Sequence, residues 1–107
     1  MATNMQTVED IVCQYVADVK LVMPIDKAVL FGSHAKGVAS KHSDVDVCFF
    51  SYAFENRRSV DIVIALLGIA SKYHPDYCIE PKAFPTSEIE NDNPFVKEVL
   101  RTGREIA

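Results

Sequence analysis

The sequence has no tryptophan and only three cysteines, four glycines and five prolines among its 107 residues. Cys13, Cys48 and Cys78 lie too far apart to form a CxxC pair, and no Cys/His cluster surrounds them, so no zinc site is expected. All three sit among apolar neighbours and read as reduced core residues of a cytoplasmic protein. Scarce Gly and Pro with 49% hydrophobic residues exclude a disordered chain. Basic residues are in the minority: 11 Lys and Arg stand against 15 Asp and Glu, a net charge of −4. A free-standing nucleic-acid binder held by a broad basic surface is therefore not expected, although a local basic pocket is allowed. No apolar run is long enough to span a membrane, and no basic stretch followed by an apolar one opens the chain, so no signal peptide is expected. There is no repeat, low-complexity tract or domain boundary. Residues 1–107 read as one small domain with its own core.

What is present reads as helices alternating with strands. Residues 5–22 place Val8, Ile11, Val12, Tyr15, Val16 and Val19 at helical spacing, with Thr7 and Asp10 as a capping box and Pro24 as the stop. Residues 27–31 are a short apolar run between Asp26 and Gly32, a strand covered on both faces. Residues 34–41 are small and polar, a turn with a short helix. Residues 44–51 form a second strand. Alternation puts Val45, Val47 and Phe49 on one face and Asp44, Asp46, Cys48 and Phe50 on the other. Residues 52–59 read as a polar linker in which Arg57 and Arg58 are solvated. Residues 60–73 are apolar almost all round, which predicts a helix buried on more than one side, including against another chain. The run from Val60 to Ile64 could instead open as a strand. Residues 77–84 read as a third strand, and Pro81 puts it at an edge or a bulge. Residues 86–92 suggest a helical turn capped by Thr86 or Ser87. Asn93-Pro94 starts a last helix through Arg101, with Phe95, Val99 and Leu100 on its apolar side and Gly103 as the stop.

The chemistry concentrates in one stretch: Gly32-Ser33, ten residues, then Asp44-Val45-Asp46. Gly32 lets the backbone approach a phosphate closely, and the amide and hydroxyl of Ser33 can donate to its oxygens. Lys36 adds a nearby positive charge. Residues i and i+2 of a strand face the same way about 7 Å apart. Asp44 and Asp46 can therefore share one divalent ion or bridge two. Mg²⁺ suits such a site because it binds one or two carboxylates together with substrate phosphates. A two-metal site stabilises both the attacking and the leaving oxygen of an in-line displacement. A lone Gly-Ser is most often a plain turn, and a lone Asp-x-Asp most often a solvated or capping pair. The two in this order, each at a strand end, form the pattern that phosphoryl chemistry needs.

From Phe31-Gly32-Ser33-His34-Ala35-Lys36-Gly37 through Ser43-Asp44-Val45-Asp46-Val47, the chain resembles the DNA polymerase beta-type nucleotidyltransferase superfamily. It is most similar to the small, single-domain minimal nucleotidyltransferases, and Ile79-Glu80-Pro81 and the Asn93-Pro94-Phe95 helix extend the likeness over nearly the whole chain. The resemblance implies an α+β fold with a small mixed sheet flanked by helices. It implies ATP or another nucleoside triphosphate as substrate, Mg²⁺ (two ions) as cofactor, and transfer of a nucleoside monophosphate with release of pyrophosphate. By position, Gly32, Ser33 and Lys36 would hold the nucleotide, and Asp44 and Asp46 would bind the metal. Lys36 stands where the family often has Arg, and it would meet a phosphate as a point charge without Arg's bidentate fork. His34 reads as an exposed loop histidine.

The family also draws a third carboxylate from a later strand, to complete a metal site and help activate the acceptor hydroxyl. Glu80 is the first choice, and an exposed strand residue is the plainer reading of it. Asp76 is the second choice on strand parity, and Asp61 leads if residues 60–64 are a strand. The family further implies a partner. Many minimal nucleotidyltransferases pair with a small helical HEPN-domain toxin and act as its antitoxin, in some systems by placing AMP on a toxin tyrosine. That arrangement is expected here, as a hetero-oligomer. The alternatives are transfer to a small hydroxylated molecule such as an aminoglycoside-like antibiotic, and a non-catalytic module that neutralises a partner by contact.

Overall fold

A computed structural model describes residues 7–36 and 44–106. The sequence stretch from Gly37 to Ser43 lies outside the described residues, as does the side chain of Lys36. The elements are α1 (Val8–Lys20), β1 (Lys27–Phe31), α2 (Ser33–Lys36), β2 (Val45–Ser51), α3 (Ser59–Ala70), β3 (Ile79–Pro85), α4 (Pro94–Thr102) and β4 (Arg104–Glu105). The sheet runs β3-β2-β1-β4. β1 is antiparallel to β2 and to β4, whereas β2 and β3 are parallel, joined through α3. This is the mixed sheet flanked by helices that the family resemblance implies.

Alternation along β2 separates two apolar clusters. Val45, Val47 and Phe49 pack on one face with Ile11, Val12, Tyr15, Val16 and Val19 of α1 and Ile62, Leu66 and Ala70 of α3. Cys48 and Phe50 pack on the other with Val29, Val96 and Val99, which seats α4 there. The Tyr15 hydroxyl, buried, donates to the Leu66 carbonyl at 2.8 Å and ties α1 to α3. Burial pushes that hydroxyl's pKa up, so it stays a neutral donor.

The helix starts follow local chemistry. Thr7 and Asp10 form the predicted capping box of α1. The Asn93 side chain accepts from the amides of Phe95 and Val96, with Pro94 as the first residue of α4. Neither Thr86 nor Ser87 caps the short turn Thr86–Ile89, contrary to expectation. Thr86 donates instead to Asp26 at 2.6 Å and Ser87 to Glu55 at 2.5 Å, because the turn lies against those acids.

Four other expectations are corrected. Residues 60–64 are helical throughout, so the strand alternative falls. Within this chain the helix buries one stripe, Ile62, Leu66 and Ala70, rather than more than one side, while Val60, Ile64 and Leu67 are exposed. The polar linker contains a short turn, Tyr52–Phe54, that buries Phe54 in the core. Of the three cysteines only Cys48 is buried; Cys13 is exposed on α1 and Cys78 is half-buried. The edge position expected from Pro81 holds: β3 is the outer strand. The two-residue β4 carries no sequence signal, because its place depends on where α4 ends.

Gly103 makes that last connection. Its amide donates to the Val99 carbonyl at 2.7 Å, and a Cβ there would crowd the Val29 side chain and approach the carbonyl oxygens of Val99 and Leu30 to 2.5 and 2.9 Å. Two of those neighbours are backbone and cannot turn aside. Gly103→Ala is expected to cost about 1–3 kcal/mol through overpacking, seen as a lower midpoint in thermal denaturation. An unchanged midpoint would show that β4 can shift away freely.

Candidate active site

The site is built at the end of the sheet where β1 stops and β2 begins. β1 runs into Gly32, whose φ of +77° turns the chain sharply into α2 at Ser33. A side chain would be strained at that angle. It would also run into the Asp46 carboxylate, whose Cγ would lie 3.2 Å from the new carbon. The glycine therefore has two reasons to be there: it makes the turn, and it leaves the space that Asp46 occupies.

Strand register assembles the acids. Asp46 pairs with Phe31 of β1 on one side and with Glu80 of β3 on the other. Neighbouring strands lie about 4.8 Å apart with register partners on the same face, so Asp46 and Glu80 are side by side. Asp44 stands one residue before β2, on the same parity as Asp46. Cys78 steadies this end of the strand. Its carbonyl accepts the Val45 amide at 2.8 Å, and its thiol lies close enough to the Asp44 carboxylate to be affected by it. Burial and that acidic neighbour together push the Cys78 thiol up.

The electrostatics centre on Asp46. Partial burial raises its pKa first, and the nearby charges of Asp44 and Glu80 raise it further. Lys82 and His34 pull it back down. A half-buried carboxylate with two acids beside it is an environment that a bound cation would relieve. The donors are hard oxygens, which suit Mg²⁺. Among the described residues, no group of three or more His, Cys, Asp or Glu is placed so that it could hold a metal ion, Asp44, Asp46 and Glu80 included. An ion that completes its shell with substrate phosphates and water does not need one.

The sequence-derived candidates are placed as follows. Gly32, Ser33, Asp44, Asp46 and Glu80 come together at this one end of the sheet. Lys36 closes α2, but its side chain lies outside the described residues, and Gly37 and Ser43 of the motif are outside them altogether. Asp61 is in the first turn of α3, exposed, with Arg58 3.9 Å away. Asp76 is exposed in the turn before β3. Neither shares a register position with Asp46, so Glu80 is the third acid of the cluster. His34 is not an exposed loop residue: it is half-buried in α2, and its charge acts on Asp46. Lys82 joins this face although the sequence motifs do not single it out. The signal was available, since in an alternating strand it shares a face with Glu80 two residues earlier.

Residues 5–104 match the profile of the nucleotidyltransferase domain family. The chain belongs to that family. This nucleotidyltransferase domain also shares its fold with the crystal structure of a candidate nucleotidyltransferase from Sulfolobus solfataricus. The two superpose with a TM-score of 0.60 at 15% identity, over 83% of this chain and 84% of the other. No functionally curated protein matches the sequence. Among the described residues, no helix of the domain is long and apolar enough to cross a membrane.

Proposed function

We propose that this nucleotidyltransferase domain moves AMP from ATP to a hydroxyl acceptor, a tyrosine of a HEPN-domain toxin, and so acts as the antitoxin of that partner in the cytoplasm. One observation carries the transfer chemistry: Asp46 lies between the Gly32-Ser33 turn on one side and Glu80 on the other. The turn would hold the triphosphate, Ser33 donating to its oxygens. Asp44 and Asp46 would hold Mg²⁺, with Glu80 completing the set. When bound, the ion would neutralise charge on the reacting phosphoryl group and its leaving oxygen. Glu80, on the strand farthest from the Gly-Ser turn, would accept the acceptor hydroxyl's proton. The acceptor oxygen would bond to the α-phosphorus, and the bond to the bridging oxygen of pyrophosphate would break. The partner is supported by family likeness and by the exposed apolar residues Val60, Ile64 and Leu67 of α3.

The test is co-expression with the product of the adjacent gene, followed by intact mass spectrometry of both chains. The expected result is a mass increase of one or more adenylyl groups on the partner, absent when Asp44→Asn replaces the wild type. An unmodified partner that still co-purifies would replace this reading with neutralisation by contact. An unmodified partner that does not co-purify would point to a small-molecule acceptor.

A further inference from the structure

The sheet register puts two basic residues on the acidic face among the described residues: Lys27, at its far end opposite Phe50 and paired with Glu105 at 3.0 Å, and Lys82, nearer the acids. Lys82 lies on β3 two residues after Glu80, and its register partner on β2 is Cys48, two residues after Asp46. It therefore shares the face of both acids. Its side chain is exposed, and it takes part in none of the ion pairs formed among the described residues. The positive charge is thus held at the site without being consumed by it. Its field reaches inward, lowering the pKa of Asp46 and of the buried Cys48 against the stronger effect of burial.

The side of the cluster on which it sits matters. The Gly32-Ser33 turn follows β1, and Lys82 is on β3, with β2 between them. Strands two apart are separated by about 10 Å. One phosphate group cannot touch both. If the turn holds the distal phosphates, the nucleotide crosses β2 with its α-phosphate toward β3.

We infer that Lys82 is a binding residue for the α-phosphate, donating to a non-bridging oxygen from the side opposite the Gly-Ser turn. The inference rests on the nucleotidyltransferase reading of the site and assigns Lys82 within it. In this role Lys82 would also meet the negative charge that gathers on the α-phosphoryl oxygens as the acceptor attacks.

The experiment is calorimetric titration of the whole chain with ATP and, separately, with pyrophosphate, both with Mg²⁺. Pyrophosphate probes the distal subsite alone. Lys82→Met is expected to weaken ATP about tenfold to a hundredfold, the range of one charge-assisted hydrogen bond. Pyrophosphate affinity should stay within about twofold on the same grounds, because the lost bond is not made to that ligand. Ser33→Ala should weaken both ligands. Lys82→Arg should restore most of the ATP affinity. Lys82 is exposed, so an unchanged thermal midpoint should accompany the loss. Unchanged ATP affinity in Lys82→Met, or equal losses for ATP and pyrophosphate, would overturn the assignment while leaving the nucleotide site intact. A wild-type chain that binds neither ligand would overturn the reading of the site itself, and this assignment with it.

Discussion

Asp46→Asn is expected to abolish nucleotidyl transfer and, at neutral pH, to raise the melting temperature. The two effects have one cause. Asp46 is half-buried between Asp44 and Glu80, and its pKa is raised by burial and by those charges. Removing the charge removes an unfavourable interaction from the metal-free chain, and Asn keeps the shape. It also removes the central carboxylate of the proposed metal site. Metal ions supply several kcal/mol of transition-state stabilisation, and about 1.4 kcal/mol is tenfold in rate, so a loss on the order of a thousandfold is expected.

The pH dependence has a definite sign. A raised native pKa means that the folded state holds the Asp46 proton at pH values where the unfolded state has released it. Stability therefore falls as pH rises from the ordinary Asp value of 3.8 through the raised native value. Above that window the penalty is complete, and below it there is none. The advantage of Asp46→Asn should be full at neutral pH and vanish in acid. Thermal denaturation with and without Mg²⁺ checks this. Saturating Mg²⁺ should stabilise the wild type and not the variant, because only the wild type keeps the proposed metal site complete. A variant less stable than wild type at neutral pH without metal would show that Asp46 makes favourable contacts that outweigh its burial.

Gly32→Ala should damage both stability and activity. The position has a φ of +77°, and the added carbon would press on the Asp46 carboxylate. Left-handed backbone costs a non-glycine residue roughly 1–2 kcal/mol, before the crowding is counted. In a domain of this size that is a fall of roughly 5–15 °C in melting temperature. The activity loss should exceed what the fall in folded fraction explains, since Asp46 itself must move. Measuring transfer well below the new melting temperature separates the two. Transfer at the wild-type rate there would mean that the acids do not depend on the turn. In contrast to Asp46→Asn, the stability change here is downward, so the pair also distinguishes removal of charge from displacement of it.

Much of this domain was legible before its structure. The helix at Val8–Lys20 and the strand at Lys27–Phe31 follow from apolar spacing bounded by turn residues. The two faces of β2 follow from alternation, a local property of extended backbone. The spacing of Gly32-Ser33 and Asp44-x-Asp46 carried the family likeness, because turn chemistry and strand parity are both short-range. The α3 region was harder to read. Val60-Asp61-Ile62-Val63-Ile64 is as β-branched as a strand, and packing of Ile62 and Leu66 on the sheet settles it as a helix.

The third acid shows where local reasoning ends. Glu80, Asp76 and Asp61 are all candidates in the sequence, in that order of preference. Only the pairing of Glu80 with Asp46 separates them, and that pairing joins residues 34 positions apart in the chain. The placing of Lys82, the influence of His34 on Asp46, and the nearness of Cys78 to Asp44 are of the same kind. By itself the sequence determined α1, β1, β2 and α4, the order of strand, turn and acids, and the class of chemistry, since each depends on neighbours within a few residues. The tertiary structure decided which acid joins the pair and which charges surround it, since strand register is a long-range contact that no local pattern encodes.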